Sequence, residues 1–314
     1  VAGAAVVAAV EEDVAAEQPG ITVNKLGPPD WLQRLPRLGV GLGFRRPLAR
    51  PIVEHAAEID FLEIISEHYL GFSRFDKREL RELRRRFPLV AHGLSLSPGT
   101  LDPPDHTYLG DVGELVKTAS TPWWSDHLAM TRAGRIDIGH LAPVPLTGEM
   151  LGIVCRNINQ AKDRIKCPFA VENIAHTLQV PGAEMGEAEF LSQVLEQTDS
   201  GLLLDLMNLH ANARNHCYDA YEFLESIPLD RVVQIHIIGG HYARGVLVDS
   251  HSRPTPEEVW QMLEFVARRV DIKAVLLEWD EQFPEFSVII DQLSRARAIL
   301  AGARLRTEVS FAVA

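Results

Sequence analysis

At 314 residues with 46% of them hydrophobic, the chain can fill one large domain, and its formal net charge of -12 excludes a nucleic-acid backbone as partner, which needs clustered Lys and Arg. Cys155, Cys167 and Cys217 are too few and too widely spaced for a disulfide framework or a zinc knuckle, so a reducing, cytoplasmic setting is expected. The Ala- and Val-rich start runs without a basic leader into Glu11-Glu12-Asp13, which fits neither a signal peptide nor a membrane span.

Residues 1–37 read as an N-terminal extension, partly disordered. From Leu38 onward, eight short apolar runs recur about every 20 to 40 residues, with helical periodicity between many of them. Leu38–Phe44 and Asp60–Ser66 come first, followed by a helix at Lys77–Arg86 whose basic residues read as a solvated face. Pro88–Leu96 and Trp123–Ala129 are next, then a helix at Glu149–Ile165. Pro168–Ile174 leads to a helix at Glu187–Glu196, and Gly201–Asn208 and Val232–Gly239 follow. A helix at Pro256–Val270, the last run at Ala274–Asp280 and a helix at Phe286–Leu300 close the pattern. Strand then helix, repeated eight times, predicts an α/β chain folded as a (β/α)8 TIM barrel over residues 38–302, with 303–314 as a C-terminal tail. The runs are nearly continuously apolar, as parallel strands buried on both faces should be.

The polar exceptions therefore carry information. Glu63 and Glu67, His92, Asp126 and His127, Glu172 and Asn173, Asp205 and Asn208, His236, and Glu278 lie late in their runs or just beyond, at the end where barrels build active sites. The segments Ser97–Asp105, Leu141–Gly148 and Val180–Gly186 read as loops over that mouth, and the polar stretch Gly240–Thr255 adds His241, Asp249 and His251. Taken singly, each residue has a structural reading, such as an Arg partner or a satisfied core histidine. Taken together, unpaired charges from almost every strand repel and lose hydration, so they need cations, protons or solvent to compensate them.

Imidazole and carboxylate without thiolate suit iron, manganese, zinc or cobalt better than calcium or magnesium. The supply, His92, Asp126, Glu172, Asp205, Asn208, His236, Asp249, His251 and Glu278, exceeds what one ion takes, so two or three metals bridged by carboxylates are expected. His127, Asn173 and His241, with His216, stand beside these positions as groups that orient ligands or hydrogen-bond the substrate. Trp123 and Trp124 read as barrel packing, and Cys217 as incidental.

The motifs DFLEIISEHYL, AHGLSLS, WWSDHLA, VENI, LLLDLMNLHANARNH, QIHIIGGH, DSHSRP and LLEWD, in this order from about Leu38 to Leu300, resemble the DUF692 family of multinuclear non-haem iron-dependent oxidative enzymes, whose best-known member acts in methanobactin biosynthesis. The resemblance implies a xylose-isomerase-like barrel holding two or three iron ions, Fe(II) and Fe(III), with dioxygen as co-substrate. It further implies oxidative modification of a residue, often cysteine, in a ribosomally synthesised (RiPP) precursor peptide, with a small leader-binding partner protein. Carried over residue by residue, it assigns the nine ligands named above to the AHG, SDHL, VEN, LDLMN, QIH, DSH and LLE motifs. Two departures stand out. Many relatives carry a Pro-His ligand after the first strand where this chain has Pro47-Leu48, which leaves one site weaker unless another group such as His55 substitutes. The usual SENY motif is Ser66-Glu67-His68-Tyr69. The rival readings are a divalent-metal sugar isomerase or epimerase, a metal-dependent hydrolase, or a non-catalytic metal-binding relative on the same barrel.

Overall fold

The computed structural model describes residues 28–71, 73–134 and 136–313. Each apolar run contains one strand of a closed barrel: β1 (Gly39–Gly43), β2 (Leu62–Ile65), β3 (Leu89–Gly93), β4 (Trp124–His127), β5 (Phe169–Glu172), β6 (Gly201–Asp205), β7 (Val232–Ile237) and β8 (Ala274–Leu277). Going round, the order is β1-β8-β7-β6-β5-β4-β3-β2, and every pair is parallel. The expected helices appear as Arg74–Arg86, Gly148–Arg164, Glu187–Thr198, Glu257–Ala267 and Phe286–Val313. The last continues unbroken past residue 302, into the stretch read from the sequence as a tail. Helices Ala49–Glu54, His106–Ala119, Leu206–His216 and Ala220–Ser226 complete the outer layer among the described residues. Among the described residues, no helix is long and apolar enough to cross a membrane.

Side chains alternate across each strand, and this alternation sorts the residues. On β2 to β4, Leu62, Ile64, Leu89, Ala91 and Trp124 join the large core between barrel and helices. Their neighbours Phe61, Val90 and Trp123 turn inward, where they meet Val233, Ala274 and Leu276 in a second, smaller core at the start of the strands. A bulge between β6 and β7 lets both Val233 and the next residue, Gln234, enter the interior: Val233 joins the lower core, and Gln234 bonds Trp123 and Glu63 above it.

A short helix, Asp30–Gln33, closes this lower end, with Leu32 and Leu35 inserted into the smaller core and Trp31 packed against it. Trp31 Nε1 donates to Asp199 at 3.1 Å, which ties the helix to the rim of the barrel. Of the expected extension, residues 1–27 lie outside the described residues. At the opposite end, two antiparallel hairpins rise over the mouth: Met130–Ala133 with Ile136–Ala142 after β4, and Gly239–Ala243 with Val246–Arg253 after β7. The sequence reading places no strands in these segments, because an exposed hairpin carries no apolar run to mark it.

Candidate metal centre

Above the apolar lower core, the same inward alternation brings polar side chains into one layer. His92 of β3, His127 of β4, Glu172 of β5, Asp205 of β6 and His236 of β7 meet there with Glu63 of β2 and Glu278, just beyond β8, all buried. Three sets of possible donor atoms lie within 4.8 Å of one another: His92, His127 and Glu172; Glu172, Asp205, His236 and Glu278; and His251, Glu278 and Asp280.

Glu172 joins the first two sets. Its Oε2 lies 3.3 Å from Nε2 of His92 and 3.3 Å from Nε2 of His127, while its Oε1 lies 3.4 Å from Nδ1 of His236. His236 Nδ1 is also 2.9 Å from Glu278 and 4.0 Å from Asp205, and its other nitrogen is 3.2 Å from Glu63. Ser125, also facing inward on β4, meets His92 Nδ1 at 2.9 Å and fixes that ring.

Asp205 ends β6 and caps the helix Leu206–His216, accepting from the Asn208 backbone N–H at 2.6 Å. Asn173 braces it, donating to the Asp205 carbonyl and accepting from its N–H, and Asn208 donates back to the Asn173 carbonyl. The same helix continues the stripe: Asn212 bonds Ile174 and His176, and Asn215 makes two bonds to Leu247 of the second hairpin. At spacings of four and three, the asparagines of LMNLHANARNH form one helical face that fastens both neighbouring mouth segments.

The second hairpin delivers Asp249 and His251. His251 bridges Asp249 at 2.6 Å and Asp280 at 2.9 Å from a left-handed backbone (φ 49), held by N–H bonds from Asp280 and Glu281 to its carbonyl. His241 sits exposed on the partner strand, bonded to Ser250.

Asp126, expected among the ligands, lies outside all three sets. It alternates with the inward-facing Ser125 and His127, so its carboxylate turns the other way. There it accepts from Leu96 N–H and Tyr108 hydroxyl, both at 3.0 Å, and from the His127 N–H at 2.7 Å. Its neighbour His127, read as a supporting group, is the residue of that pair that reaches Glu172. Glu63 was visible as a polar exception but was not carried into the ligand set. Asp280 and Arg45 went unnoticed: Asp280 closes the eighth run, where Glu278 drew the attention, and Arg45 lies one residue beyond the first run. Leu48 packs in the core, while His55 is partly exposed against Phe286 and Glu58, so neither supplies a group to the centre.

The electrostatics follow from burial. Burial pushes the Glu172 carboxyl up to about 8, and burial with the nearby Asp249 charge raises Asp205 to about 7. Burial lowers His127 to about 4 and, with the His127 charge, holds His92 well below its ordinary value. Burial also pulls His236 down, but Glu63, Glu278 and Glu172 together outweigh it and hold the imidazole well above its usual range. Buried atoms without a hydrogen-bond partner include Glu172 Oε2, Asp205 Oδ2, Asn208 Oδ1 and Asp249 Oδ1. Native interiors rarely leave such atoms unsatisfied, and a cation among these oxygens and imidazoles would satisfy them. The donor set thus fits transition metals such as iron, with Glu172 placed to serve two ions.

A family description, RiPP precursor modification enzyme MbnB/TglH/ChrH, matches residues 39–301. Similar proteins include a UPF0276 protein of Caulobacter vibrioides, 34% identical over 85% of this chain and 95% of that one. Another UPF0276 protein, from Rhizorhabdus wittichii, is 36% identical over 85% and 96%. Among solved structures, D-psicose 3-epimerase with D-tagatose from Clostridium cellulolyticum H10 superposes with a TM-score of 0.52 at 12% identity, over 85% of this chain and 98% of that one. The 3-keto-D-glucoside 4-epimerase of E. coli gives 0.52 at 13%, over 83% and 99%. At such identities the likeness is one of fold, the xylose-isomerase-like TIM barrel.

Proposed function

The chain belongs to the RiPP precursor modification enzyme family MbnB/TglH/ChrH, and on that premise we propose that it is an iron-dependent oxidoreductase. In this reading it uses dioxygen to modify a residue, often cysteine, in a ribosomally synthesised precursor peptide. The observation that carries the reading is the pair of buried donor sets sharing Glu172. His92, His127 and Glu172 would hold one ion, and Glu172, Asp205, Asn208, His236 and Glu278 a second, with Asp249 and His251 bordering it. Bound iron would supply Lewis acidity and one-electron redox chemistry toward dioxygen.

The chain's own residues hold, orient and enclose. Ser125 sets the His92 ring, and Glu63 sets His236 from the side away from Glu172. Asn173 holds the Asp205 backbone in place while also lining a cavity of about 900 Å³ beside the centre. That cavity has apolar walls from residues such as Leu128, Val144 and Ile174, and a wall of this kind suits peptide side chains flanking the modified residue. His241, exposed on the hairpin and bonded to Ser250 through Nδ1, would meet an incoming substrate with its other ring nitrogen. A small partner protein gripping the peptide's leader would complete the assembly.

The test is metal analysis and Mössbauer spectroscopy of protein purified without oxygen, followed by exposure to dioxygen with the precursor peptide encoded beside it. About two irons per chain and a mass change in the peptide that requires oxygen are expected. A manganese- or magnesium-only protein that epimerises D-psicose without oxygen would sink the proposal and favour the chemistry named for its structural neighbours.

A further inference from the structure

Alone among the described barrel strands, β1 sends no side chain into the polar layer. Val40 and Leu42 face the outer core, and the alternate positions are Gly41 and Gly43. Gly41 leaves space that the Phe61 ring fills, since a Cβ there would lie 2.5 Å from it. At Gly43 a Cβ would lie 3.1 Å from Nη1 of Arg45, whose side chain folds back across the glycine into the barrel mouth.

Arg45 is 8% exposed. Its Nη2 lies 3.2 Å from Glu278 Oε1, its Nε donates to Asp280 Oδ1 at 2.6 Å, and its Nη1 donates to the Phe44 carbonyl. Glu278 and Asp280 are two of the three members of the third donor set, and the other oxygen of Asp280 is taken by His251. None of these three residues has a buried atom without a hydrogen-bond partner, whereas Glu172 Oε2 and Asp205 Oδ2 in the other sets do. The third set therefore differs from the other two: its charge is already compensated.

We propose that Arg45 is a resident cation that closes the His251, Glu278 and Asp280 set to metal, so that this chain holds two ions rather than three. The inference rests on the metal-centre reading above and specifies its stoichiometry. A guanidinium does not lose its proton in a protein, and its planar fork spans two carboxylates at once. A divalent ion entering the set would have to break both contacts and sit against the fixed positive charge of a buried guanidinium, which repels it.

The test is anaerobic loading of the full chain with Co(II) or Fe(II), removal of excess ion, and elemental analysis against protein concentration. The wild type is expected to retain about two ions per chain, Arg45→Lys about two, and Arg45→Gln about three, because glutamine frees both carboxylates without bringing a charge. Circular dichroism reports whether each variant folds. An unchanged count in a folded Arg45→Gln protein would overturn the proposal, as would about three ions in the wild type. Anomalous scattering from Co(II)-loaded wild-type crystals decides the matter without any variant: a metal peak bonded to Asp280 would overturn it, and peaks confined to the Glu172 sets would support it. Retention of no ion by any form would overturn the metal-centre reading together with this inference, a result distinct from failure at Arg45 alone.

Discussion

Glu172 stands between two donor sets, so its replacement should be felt in both. Glu172→Gln puts an amide where a carboxylate faces three imidazoles, and it is expected to weaken metal binding by about 100-fold or more, measured by titration with Co(II). Asp126→Asn should behave differently. Its carboxylate serves Leu96, His127 and Tyr108, so the expected loss is stability, about 1–3 kcal/mol, with metal content retained. Titration adds a sign that can be checked. Without metal, the folded chain keeps protons on Glu172 up to about 8 and on Asp205 up to about 7, whereas unfolded carboxyls release theirs near 4. The folded state then binds more protons than the unfolded one, so metal-free stability falls as pH rises through this window. Metal competes with those same protons, so affinity should rise over the same interval, by up to about tenfold per pH unit for each proton displaced. Melting temperatures with and without Co(II) between pH 6 and 9 should diverge. Curves that stay parallel would contradict the assignment of these carboxylates.

At the scale of elements, the asparagine stripe on helix Leu206–His216 fastens two mouth segments to one support. Asn212→Leu removes the bonds to Ile174 and His176 and leaves buried backbone groups unpaired, an expected cost of about 1–3 kcal/mol in urea unfolding. Its metal count should stay unchanged, since Asn212 lies outside the donor sets. The eight strands were legible in the sequence because strands buried on both faces must be apolar throughout, and a single His or Glu within such a run is conspicuous. Which way that residue points was less legible. In SDH, adjacent Asp126 and His127 compete for one inward position, and only the register with β3 and β5 decides for the histidine. The hairpins were hidden for the opposite reason: their strands are largely exposed, so no hydrophobic period marks them. Arg45 was invisible too, because it lies beyond the end of β1 and acts by folding back over a glycine.

For the whole molecule, the barrel is stacked from an apolar lower core to a polar upper layer, and its two ends have different work. At the lower end, Leu32→Ala should destabilise by about 2–5 kcal/mol through lost packing and leave metal content intact. The sequence reads that segment as part of a partly disordered extension, since a four-residue helix is too short to show a period. At the upper end, ligation should hold β3 to β8 together. Metal bound only to the folded chain stabilises it by mass action, so chelation is expected to lower the melting temperature of the wild type clearly and that of Glu172→Gln little.

One contact joins the two layers. Trp123 donates its indole N–H to Gln234 at 2.8 Å, and Gln234 donates to Glu63 beside His236. The indole is therefore a built-in optical reporter: a change of charge at the centre shifts the local field on its excited state, and the difference in emission between the wild type and Trp123→Phe isolates that signal from the other tryptophans. Filling and emptying of the centre can then be followed in real time, in solution, without any added dye.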